Sequence, residues 1–508
     1  MAAMTDTQYC FLCFILSFIS IFLLKPFFKK PSKTKTSLHL PPSPPALPII
    51  GHLHYLGPSL YKSLTKLSTK YGPLLYLKLG VSRCLVVSSA SVANEIFKTH
   101  DLAFAERPSF PFSDKLPYGS SGFFVAPYGD QWRFIKKLCM TELLSAKQVE
   151  KSRVARHEKI VRFLLKVLES AKKKQTLDMS VEIMKLTNNS TFRLAMSMRS
   201  LDEPHEAERI RKLVKESNEV GAKACLGDMF GPLSKLAFWL YGQRAIDVTL
   251  KYDEILERFL KQHEEISNER ENEDLMDLLL KAYRDDKSEF KINRIHLKAF
   301  LLDLFLAGVG TSAEVTLWTL AELINNPDVF NKVREEIKYE VGNTRLVEES
   351  DVPSLPYLQA VIKEALRLHP ALPVVVRECR EDCKIKDFDV PKKTMVAVNL
   401  YAIMRDEKIW DYPNDFRPER FLVSSKGKDG MEHIPFGAGR RGCPGEKLAF
   451  SMIQIVVAAM VQCFDWKVGR EGDNVKVNMQ VGPGITKPMA KPLICLPIVH
   501  FNPFTSSI

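Results

Sequence analysis

The stretch that decides the fold of this chain reads Phe436-Gly437-Ala438-Gly439-Arg440-Arg441-Gly442-Cys443-Pro444-Gly445. Its glycines match the Gly-x-Gly-x-x-Gly spacing of a dinucleotide-binding loop. Such a loop needs a buried strand before it and a helix that opens at the third glycine. Pro435 precedes the loop, where proline disfavours a central strand, and Cys443-Pro444 interrupts the point at which that helix would begin. The dinucleotide interpretation therefore explains the glycines but not the cysteine.

A cysteine ligand explains every residue type in the loop. Glycines let the backbone approach a flat ligand and turn N–H groups towards the Cys443 sulfur. Pro444 suits the start of a helix, whose partial positive charge lowers the pKa of a nearby thiol. Arg441 can pair with an anionic edge of a cofactor. A buried thiolate of this kind suits haem iron, to which it donates electron density that favours O–O cleavage.

The loop matches the haem-binding signature Phe-x-x-Gly-x-Arg-x-Cys-x-Gly of the cytochrome P-450 family, and the whole chain resembles that family. The resemblance implies a mainly α fold with small β-sheets, the cytochrome P-450 fold. It also implies a monooxygenase that binds heme b (iron protoporphyrin IX), with Cys443 as the ligand of the iron. Around the haem it implies contacts from Phe436, Gly437, Arg441 and Gly445.

Two charged motifs of the same family lie upstream of the loop. Glu364-Ala365-Leu366-Arg367 resembles its Glu-x-x-Arg helix motif, and Arg420 resembles the third member of a buried Glu-Arg-Arg network. The alternative is a surface ion pair on one helix face, worth under about 1 kcal/mol. A buried network would instead stiffen the core beside the haem, because losing one member leaves a charge unpaired. We expect these residues to have a structural role.

Two cations are expected at the haem propionates. Trp132-x-x-x-Lys136 resembles a Trp-x-x-x-Arg element that contacts a propionate, with a lysine that keeps the charge but loses the bidentate fork. Arg377 is the expected second partner. His369 could be taken for an iron ligand, but it lies next to Pro370 and Cys443 is available, so we expect His369 to have a packing role.

One long apolar helix is predicted from Ala299 to Asn325, ended by Asn325-Asn326-Pro327. Its glycines, Gly308 and Gly310, cost a helix about 1 kcal/mol each, so they need a reason. Close helix packing is one reason, and a dent that holds oxygen and substrate above the iron is the other. The resemblance places Ala307 and Gly308 beside the haem and assigns Thr311 a hydrogen bond to the distal oxygen.

Gly310 departs from the family pattern, which has an aspartate or glutamate at this position. That acid helps to deliver protons, a general-acid role often worth roughly 10²–10⁴-fold in rate. Asp303 lies about two helical turns earlier and Glu314 about one turn later. Our hypothesis from the sequence is that Thr311 and ordered water carry the proton.

The N-terminal segment predicts a membrane anchor. No charged residue occurs from Tyr9 to Leu24, and the apolar run continues to Phe28, close to the roughly 20 residues of a membrane-spanning helix. A cleaved signal peptide is the alternative, but residues 1–8 contain no Lys or Arg and no Ala-x-Ala site follows. The lysines after the span place the body in the cytosol. The predicted organisation is a lumenal N-terminus (1–8), a transmembrane anchor (9–28), a basic and proline-rich hinge (29–51) and a catalytic domain (52–508).

Charge and cysteine content narrow the compartment and the partners. The net charge of +12 favours an acidic protein or anionic lipid, and no nucleic-acid-binding motif accompanies it. Ten scattered cysteines predict reduced thiols in the cytosol. The chain resembles plant members of the family that lie in the endoplasmic reticulum membrane. This resemblance implies that its electrons come from NADPH through a membrane-bound NADPH–cytochrome reductase. The acidic docking face of such a reductase fits the basic chain.

The substrate class rests on resemblance alone. Residues 136–144 are similar to the flavone and isoflavone synthases and to neighbouring families that oxidise terpenoids, and residues 227–233 favour the latter. We predict that the substrate is hydrophobic, namely a pentacyclic triterpenoid, and that it is hydroxylated or oxidised stepwise to a carboxylic acid. Flavonoid oxidation is the alternative. Two other classes stay open, a haem protein without oxygenase turnover and a non-haem membrane scaffold. The positions expected to face the substrate are apolar, although such residues also suit an ordinary core: Phe110, Phe305, Leu306, Val374, Val375 and Ile485.

Overall fold

The computed structural model describes residues 38–108, 113–196, 209, 212–217, 219–221, 223, 234–266, 275–285, 287, 290–422, 430–468 and 476–504. The predicted lumenal segment and anchor (1–28), the first part of the hinge, Phe110 and residues 227–233 lie outside the described residues.

Helices dominate the described part of the chain, as predicted. They are α1 (Leu60–Tyr71), α2 (Ala90–Asn94), α3 (Asp130–Leu138), α4 (Ala146–Lys151), α5 (Arg153–Lys172), α6 (Met179–Met196), α7 (Ser234–Ile266), α8 (Leu275–Arg284), α9 (Arg294–Asn325), α10 (Pro327–Glu340), α11 (Pro356–Leu368), α12 (Leu400–Ile403) and α13 (Glu446–Cys463). Short 3-10 or π turns occur at Leu53–Tyr55, Glu95–Thr99, Ser113–Lys115, Cys139–Leu143, Val352–Ser354 and Pro418–Phe421.

Three small sheets accompany the helices. Their strands are β1 (Leu74–Leu79), β2 (Ser82–Val87), β3 (Leu177–Asp178), β4 (Val374–Glu378), β5 (Cys383–Ile385), β6 (Phe388–Val390), β7 (Met395–Asn399), β8 (Phe464–Val468) and β9 (Ile494–Val499). The largest sheet has the order β1-β2-β7-β4, in which only β2 and β7 run parallel. The others have the orders β3-β9-β8 and β5-β6. This architecture confirms the predicted mainly α class with small sheets.

Helix α9 is the long apolar helix that the sequence predicts, and it begins five residues earlier, at Arg294. The start is fixed by a capping box, in which the Asn293 side chain accepts from His296 N and the His296 ring accepts from Asn293 N. Helix α9 packs against α6, α7, α11 and α13. Within the described residues, α9 and α13 are long and apolar enough to cross a membrane, but more than half of each apolar stretch is buried inside the fold, as in core helices.

The described part of the proline-rich stretch packs on the catalytic body. Tyr76 N donates to Pro42 O at 2.9 Å, and Gly51 forms β-bridges with Leu47 and Leu79. Gly51 has φ +60°, and a Cβ there would overlap the Lys78 carbonyl, so this position requires glycine. From Pro42 to Gly51 the stretch is therefore held along strand β1, while His39 is bonded to Asp389 of β6.

Candidate functional site

The cysteine loop is a tight structure between residue 434 and helix α13. Cys443 N donates to Phe436 O at 3.0 Å, which closes the loop. Gly437 and Gly439 adopt φ angles of +68° and +72°, which side chains other than glycine rarely tolerate. A Cβ on Gly439 would lie 2.6 Å from Phe97 O, so the loop packs closely against the turn Glu95–Thr99.

Cys443 lies in a recess inside the protein. Its side chain is exposed, yet desolvation raises the pKa of the thiol, against the lowering effects of the Gly445 backbone N–H and the Lys136 ammonium. A group that is both accessible and dehydrated faces an internal space. A metal ion at this sulfur would reverse the shift, because coordination favours the thiolate.

Helix α13 begins later than the sequence predicted. Gly445 is the N-cap and Glu446 is the first helical residue, so Pro444 precedes the helix and does not open it. The reason is the loop closure, which holds Cys443 in the turn until Gly445, whose carbonyl accepts the first helical hydrogen bond from Ala449 N. The sulfur therefore receives a nearby N–H group, as predicted, from the capping residue.

Three arginines from distant parts of the chain meet beside the loop. Arg441 donates to Ala105 O at 2.8 Å and Ala126 O at 2.7 Å, and Arg377 Nη2 donates to Arg441 O at 3.2 Å. Burial, followed by repulsion from Arg441, lowers the pKa of Arg377 to about 10. Burial, with repulsion from both partners, holds the pKa of Arg107 well below its usual value. The Glu106 and Asp101 carboxylates act in the opposite direction on Arg441 and Arg377, and a further anion would stabilise like charges this close.

Unpartnered donors at the same place indicate what that anion contacts. Among the described residues, Arg441 Nη1, Arg107 Nε and Trp132 Nε1 are buried without a hydrogen-bond acceptor. The Arg441 guanidinium also lies 4.4 Å from the centroid of the Trp132 ring. Buried donors without partners cost about 1–3 kcal/mol each. The two carboxylates of a haem would satisfy them, while Cys443 provides the sulfur ligand, so the residues present fit this group.

Lys136 belongs to the same neighbourhood. It lies one turn after Trp132 on α3, and burial lowers the pKa of its ammonium while the nearby Cys139 and Cys443 thiols act in the opposite direction. The structure thus brings Trp132, Lys136 and Arg377 together near Arg441. Arg107 could not be predicted from the sequence, because a single arginine before a proline carries no motif spacing.

The middle of helix α9 opens towards an internal space. Ala307 is exposed although Phe305, Val309 and Ala313 around it are buried. Thr311, one turn later, is partly buried, and its hydroxyl donates to Ala307 O at 2.6 Å. Exposure in the centre of a core helix is the expected property of a residue that borders a ligand.

The two glycines of α9 have different surroundings. A Cβ on Gly308 would lie 2.9 Å from Thr191 Cγ2 of α6, so close helix packing explains this glycine. A Cβ on Gly310 would have only Val214 Cγ1 within 4 Å, at 3.9 Å, so a side chain would fit there. Packing therefore explains Gly308 and leaves Gly310 unexplained.

The remaining predicted positions divide between the core and accessible surfaces. Phe436 packs against Phe450, with ring centroids 5.2 Å apart, and a Cβ on Gly437 would meet no atom within 4 Å. Phe305 is fully buried in the core, so the expectation that it faces an accessible substrate is wrong. The other described candidates, Leu306, Val374, Val375 and Ile485, are partly or largely exposed.

The Glu-Arg-Arg network forms as predicted. Glu364 and Arg367 have no exposed side-chain surface and meet through two hydrogen bonds of 2.7 and 2.8 Å. Arg420 Nε donates to the same carboxylate at 3.1 Å, and so does Arg417 N at 2.9 Å. The prediction of a buried structural network is confirmed.

His369 has the packing role predicted for it. Its ring stacks on Trp318 at a centroid distance of 4.4 Å, and Nε2 lies 2.7 Å from Glu322 Oε1. Burial, aided by the positive charges of Lys487, Arg405 and Arg367, holds the pKa of His369 well below its usual value.

Comparison with known proteins places the chain among close relatives. Residues 41–496 match the model of the family described as Cytochrome P450. Cytochrome P450 705A20 of Arabidopsis thaliana is 45% identical over 99% of this chain and 98% of its own length. Beta-amyrin 24-hydroxylase of Glycine max is 40% identical, over 99% of this chain and 100% of its own length. 3,9-Dihydroxypterocarpan 6A-monooxygenase of Glycine max is 38% identical, over 98% and 99%.

A solved structure gives the same result for the fold. A zebra fish cytochrome P450, in a structure with progesterone, superposes with a TM-score of 0.74 and 27% sequence identity. The comparison covers 86% of this chain and 99% of that chain.

Proposed function

The chain belongs to the cytochrome P450 family, and from this membership we propose that it oxygenates a hydrophobic plant metabolite, a pentacyclic triterpenoid. As a cytochrome P450 monooxygenase, it binds haem and uses O2 with electrons that come from NADPH through a reductase. The haem, when bound, supplies the activated oxygen for attack on a C–H bond. The protein supplies the sulfur ligand, the binding of the carboxylates, the protons and the shape of the substrate space.

The observation that carries the assignment of the haem site is the position of Cys443. Its sulfur faces an internal recess, and the buried cations Arg441 and Arg377 lie beside the same loop, with buried donors that no described residue accepts from. In our proposal Cys443 ligates the iron, and the Gly445 N–H group withdraws electron density from its sulfur. Arg377 and Arg441 bind the propionates, together with Trp132, Lys136 and Arg107.

The opposite side of the haem is assigned to helix α9. Ala307 is exposed and carries little side chain, so a haem would have room beside it. Gly308 would border the haem through its backbone, since its Cα position faces Thr191 of α6. The Thr311 hydroxyl donates a hydrogen bond to Ala307 O, which fixes the position of the Thr311 side chain. Thr311 Oγ1 can still accept a hydrogen bond from a proton donor. Gly310 adds no acid at this place. Phe436 and Gly437, in the loop of Cys443, would also contact the haem.

A triterpenoid substrate is favoured by the relatives. The Glycine max relative named for the 24-hydroxylation of beta-amyrin matches this chain from end to end, and the zebra fish structure holds progesterone, another rigid polycyclic ligand. Val374, Val375 and Ile485 provide partly or largely exposed apolar surface for such a ligand. Flavonoid-type oxidation is the second candidate, because the pterocarpan monooxygenase of Glycine max is 38% identical.

We also propose a membrane location. Residues 9–28 would anchor the chain in the endoplasmic reticulum, with residues 1–8 in the lumen and residues 52–508 as the cytosolic catalytic domain. Of the basic and proline-rich hinge (29–51), the part from Pro42 to Gly51 packs on strand β1 of that domain. The net charge of +12 suits an acidic docking face on the reductase.

The test is co-expression of the full chain with a plant reductase in yeast that makes triterpene skeletons, with flavanones fed in parallel. We expect an NADPH-dependent oxygenated triterpene that is lost in Cys443→Ala and kept in Cys383→Ala, a matched thiol deletion outside the site. Products from flavanones alone would overturn the substrate class. A thiolate-type carbon monoxide spectrum without any product would favour a haem protein without turnover on these compounds. The complete absence of a Soret band would favour a non-haem scaffold.

A further inference from the structure

Gly310 leaves the oxygen side of helix α9 without its usual acid although the structure has room for one. Monooxygenation consumes one O2, two electrons and two protons, and it releases one water molecule with each hydroxylated product. Both protons come ultimately from solvent, so some group must carry them past the apolar residues that line this helix. Three buried or partly buried acids of α9 are candidates: Asp303, Glu314 and Glu322.

Asp303 and Glu322 are engaged elsewhere. Phe124 N donates to Asp303 Oδ2 at 2.9 Å, and a Cβ on Gly122 would lie 2.8 Å from that same oxygen. Asp303 therefore holds the loop before α3 against the helix. Glu322 Oε1 lies 2.7 Å from His369 Nε2, and Asn326 Nδ2 lies 3.4 Å from its other oxygen. These two acids fix neighbouring elements.

Glu314 lies on the helix face of the oxygen site. It follows Ala307 by seven residues and Thr311 by three, so the three side chains share one face. Helical side chains lean towards the N-terminus, which directs Glu314 back towards the turn that carries Thr311. The spacing alone brings the Cβ atoms of Glu314 and Thr311 to about 5–6 Å.

The Glu314 carboxyl is half engaged and deeply buried. Thr486 Oγ1 donates to Oε1 at 2.8 Å, which anchors one oxygen. Oε2 is buried and has no partner among the described residues, and the side chain is only 8% exposed. Desolvation raises the pKa of this carboxyl to about 8, although the Thr486 hydrogen bond and the Lys487 charge oppose the rise. At neutral pH the group therefore keeps a proton that it can give.

We propose that Glu314 takes the place of the acid missing at position 310 and supplies protons to Thr311 for the reduction of O2. This inference rests on the proposed monooxygenase function. Glu314 acts through the Thr311 hydroxyl or a water molecule bound to it, and Thr311 is the residue beside the reacting oxygen.

The step is a balanced proton transfer. The O–H bond at Glu314 Oε2 breaks, and the proton passes through Thr311 to the oxygen atom that leaves as water. Glu314 becomes a carboxylate, held by the Thr486 hydroxyl. The Lys487 side chain donates to Leu368 O at 2.9 Å, and burial holds its pKa well below the usual value. A proton from solvent then restores the acid.

The charged groups around Glu314 come from several elements. Lys487 follows Thr486 in the chain, and Glu322 lies about two turns further along α9. His369 and Arg367 come from the end of α11, and Arg405 contributes a hydrogen bond to Leu368 O. Of these groups, Lys487 is the one that lowers the pKa of Glu314.

The decisive variants are Glu314→Gln, the control Glu322→Gln and the double variant Gly310→Asp/Glu314→Gln, each made as full-length enzyme with its reductase. We expect Glu314→Gln to lower the rate of product formation by roughly 10²-fold and to divert NADPH consumption into hydrogen peroxide. Its carbon monoxide spectrum should stay that of the wild type. The double variant should recover most of the product, because the introduced aspartate would restore an acid next to Thr311, and Glu322→Gln should keep wild-type coupling.

Infrared spectroscopy of the resting enzyme gives a readout that needs no substrate. We expect the C=O band of a protonated carboxylic acid at pH 7 that is missing in Glu314→Gln. Unchanged coupling in Glu314→Gln, failure of the double variant to recover, or an ionised Glu314 at pH 7 would each overturn the inference. Lack of any product from the wild type would instead contradict the proposed function, which separates the two failures.

Discussion

Substitution of Glu364 tests how much a buried ion-pair network contributes to the stability of this fold. The side chains of Glu364 and Arg367 are fully buried, and the Glu364 carboxylate accepts hydrogen bonds from Arg367, Arg420 and Arg417 N. In Glu364→Gln the shape is kept, but Arg367 loses its charge partner and retains only carbonyl acceptors, among them Met404 O and Pro413 O. The substitution therefore leaves a buried guanidinium without an anion.

The magnitude follows from that unpaired charge. Removing one member of a buried ion pair costs about 3–5 kcal/mol, and two arginines depend on this one carboxylate, so we expect the upper half of that range. Folded proteins are stable by only about 5–15 kcal/mol. The variant should thus lose about a quarter or more of its free energy of unfolding.

The assay is denaturation by urea of the full-length enzyme in detergent, followed by circular dichroism. Glu150→Gln is the matched control, because Glu150 pairs with Arg153 at the same i,i+3 spacing and at 3.3 Å, but both side chains are exposed. We expect a loss of under about 1 kcal/mol for that control. Equal midpoints for the two variants would refute the argument that burial makes this network strong.

Three further predictions concern the haem site and helix α9. Arg441→Ala should weaken haem retention by at least tenfold, about 1.4 kcal/mol, because a buried cation that faces the propionates is lost; transfer of haem to apomyoglobin measures this. Gly308→Ala should destabilise the fold by about 1–3 kcal/mol, since the new Cβ would lie 2.9 Å from Thr191. Gly310→Ala should be neutral or should stabilise the fold by up to about 1 kcal/mol. The midpoints of unfolding of the two variants test this difference. Burial raises the pKa of Glu314 to about 8, so the native state keeps a proton that the unfolded chain loses, and stability falls as pH rises from about 5 to about 8. Glu314→Gln should reduce that slope by about 1.4 kcal/mol per pH unit, as measured by urea denaturation across this pH range.

Much of this architecture is predictable because its signals are local. The end of α9 at Asn325 follows from a proline two residues later, and the Glu364–Arg367 pair follows from its spacing on one helix face. The cysteine loop is a contiguous motif, so its residues are found together. Where a prediction depends on the last turn of a loop, as for Pro444, the boundary moves because loop closure overrides local preference.

What the sequence could not supply are the partners that arrive from far along the chain. Thr486 reaches Glu314 across 172 residues, and Arg107 joins Arg377 and Arg441 through folding alone. The spacing of residues along the sequence does not predict such long-range contacts. Phe305 shows the converse limit, because an apolar residue on a helix beside a ligand can point into the core as readily as towards the ligand.

The packing of the proline-rich stretch has a consequence for the solubility of shortened forms of this protein. Strand β1 ends the order β1-β2-β7-β4, and Pro42 O occupies Tyr76 N on its outer side. Prolines have no N–H to offer, so they cover this edge without creating a new one that could pair with another molecule. A truncation that removes the apolar N-terminus but stops before residue 38 keeps this cover. One that continues to residue 51 bares the strand, and we expect that form to self-associate through β1.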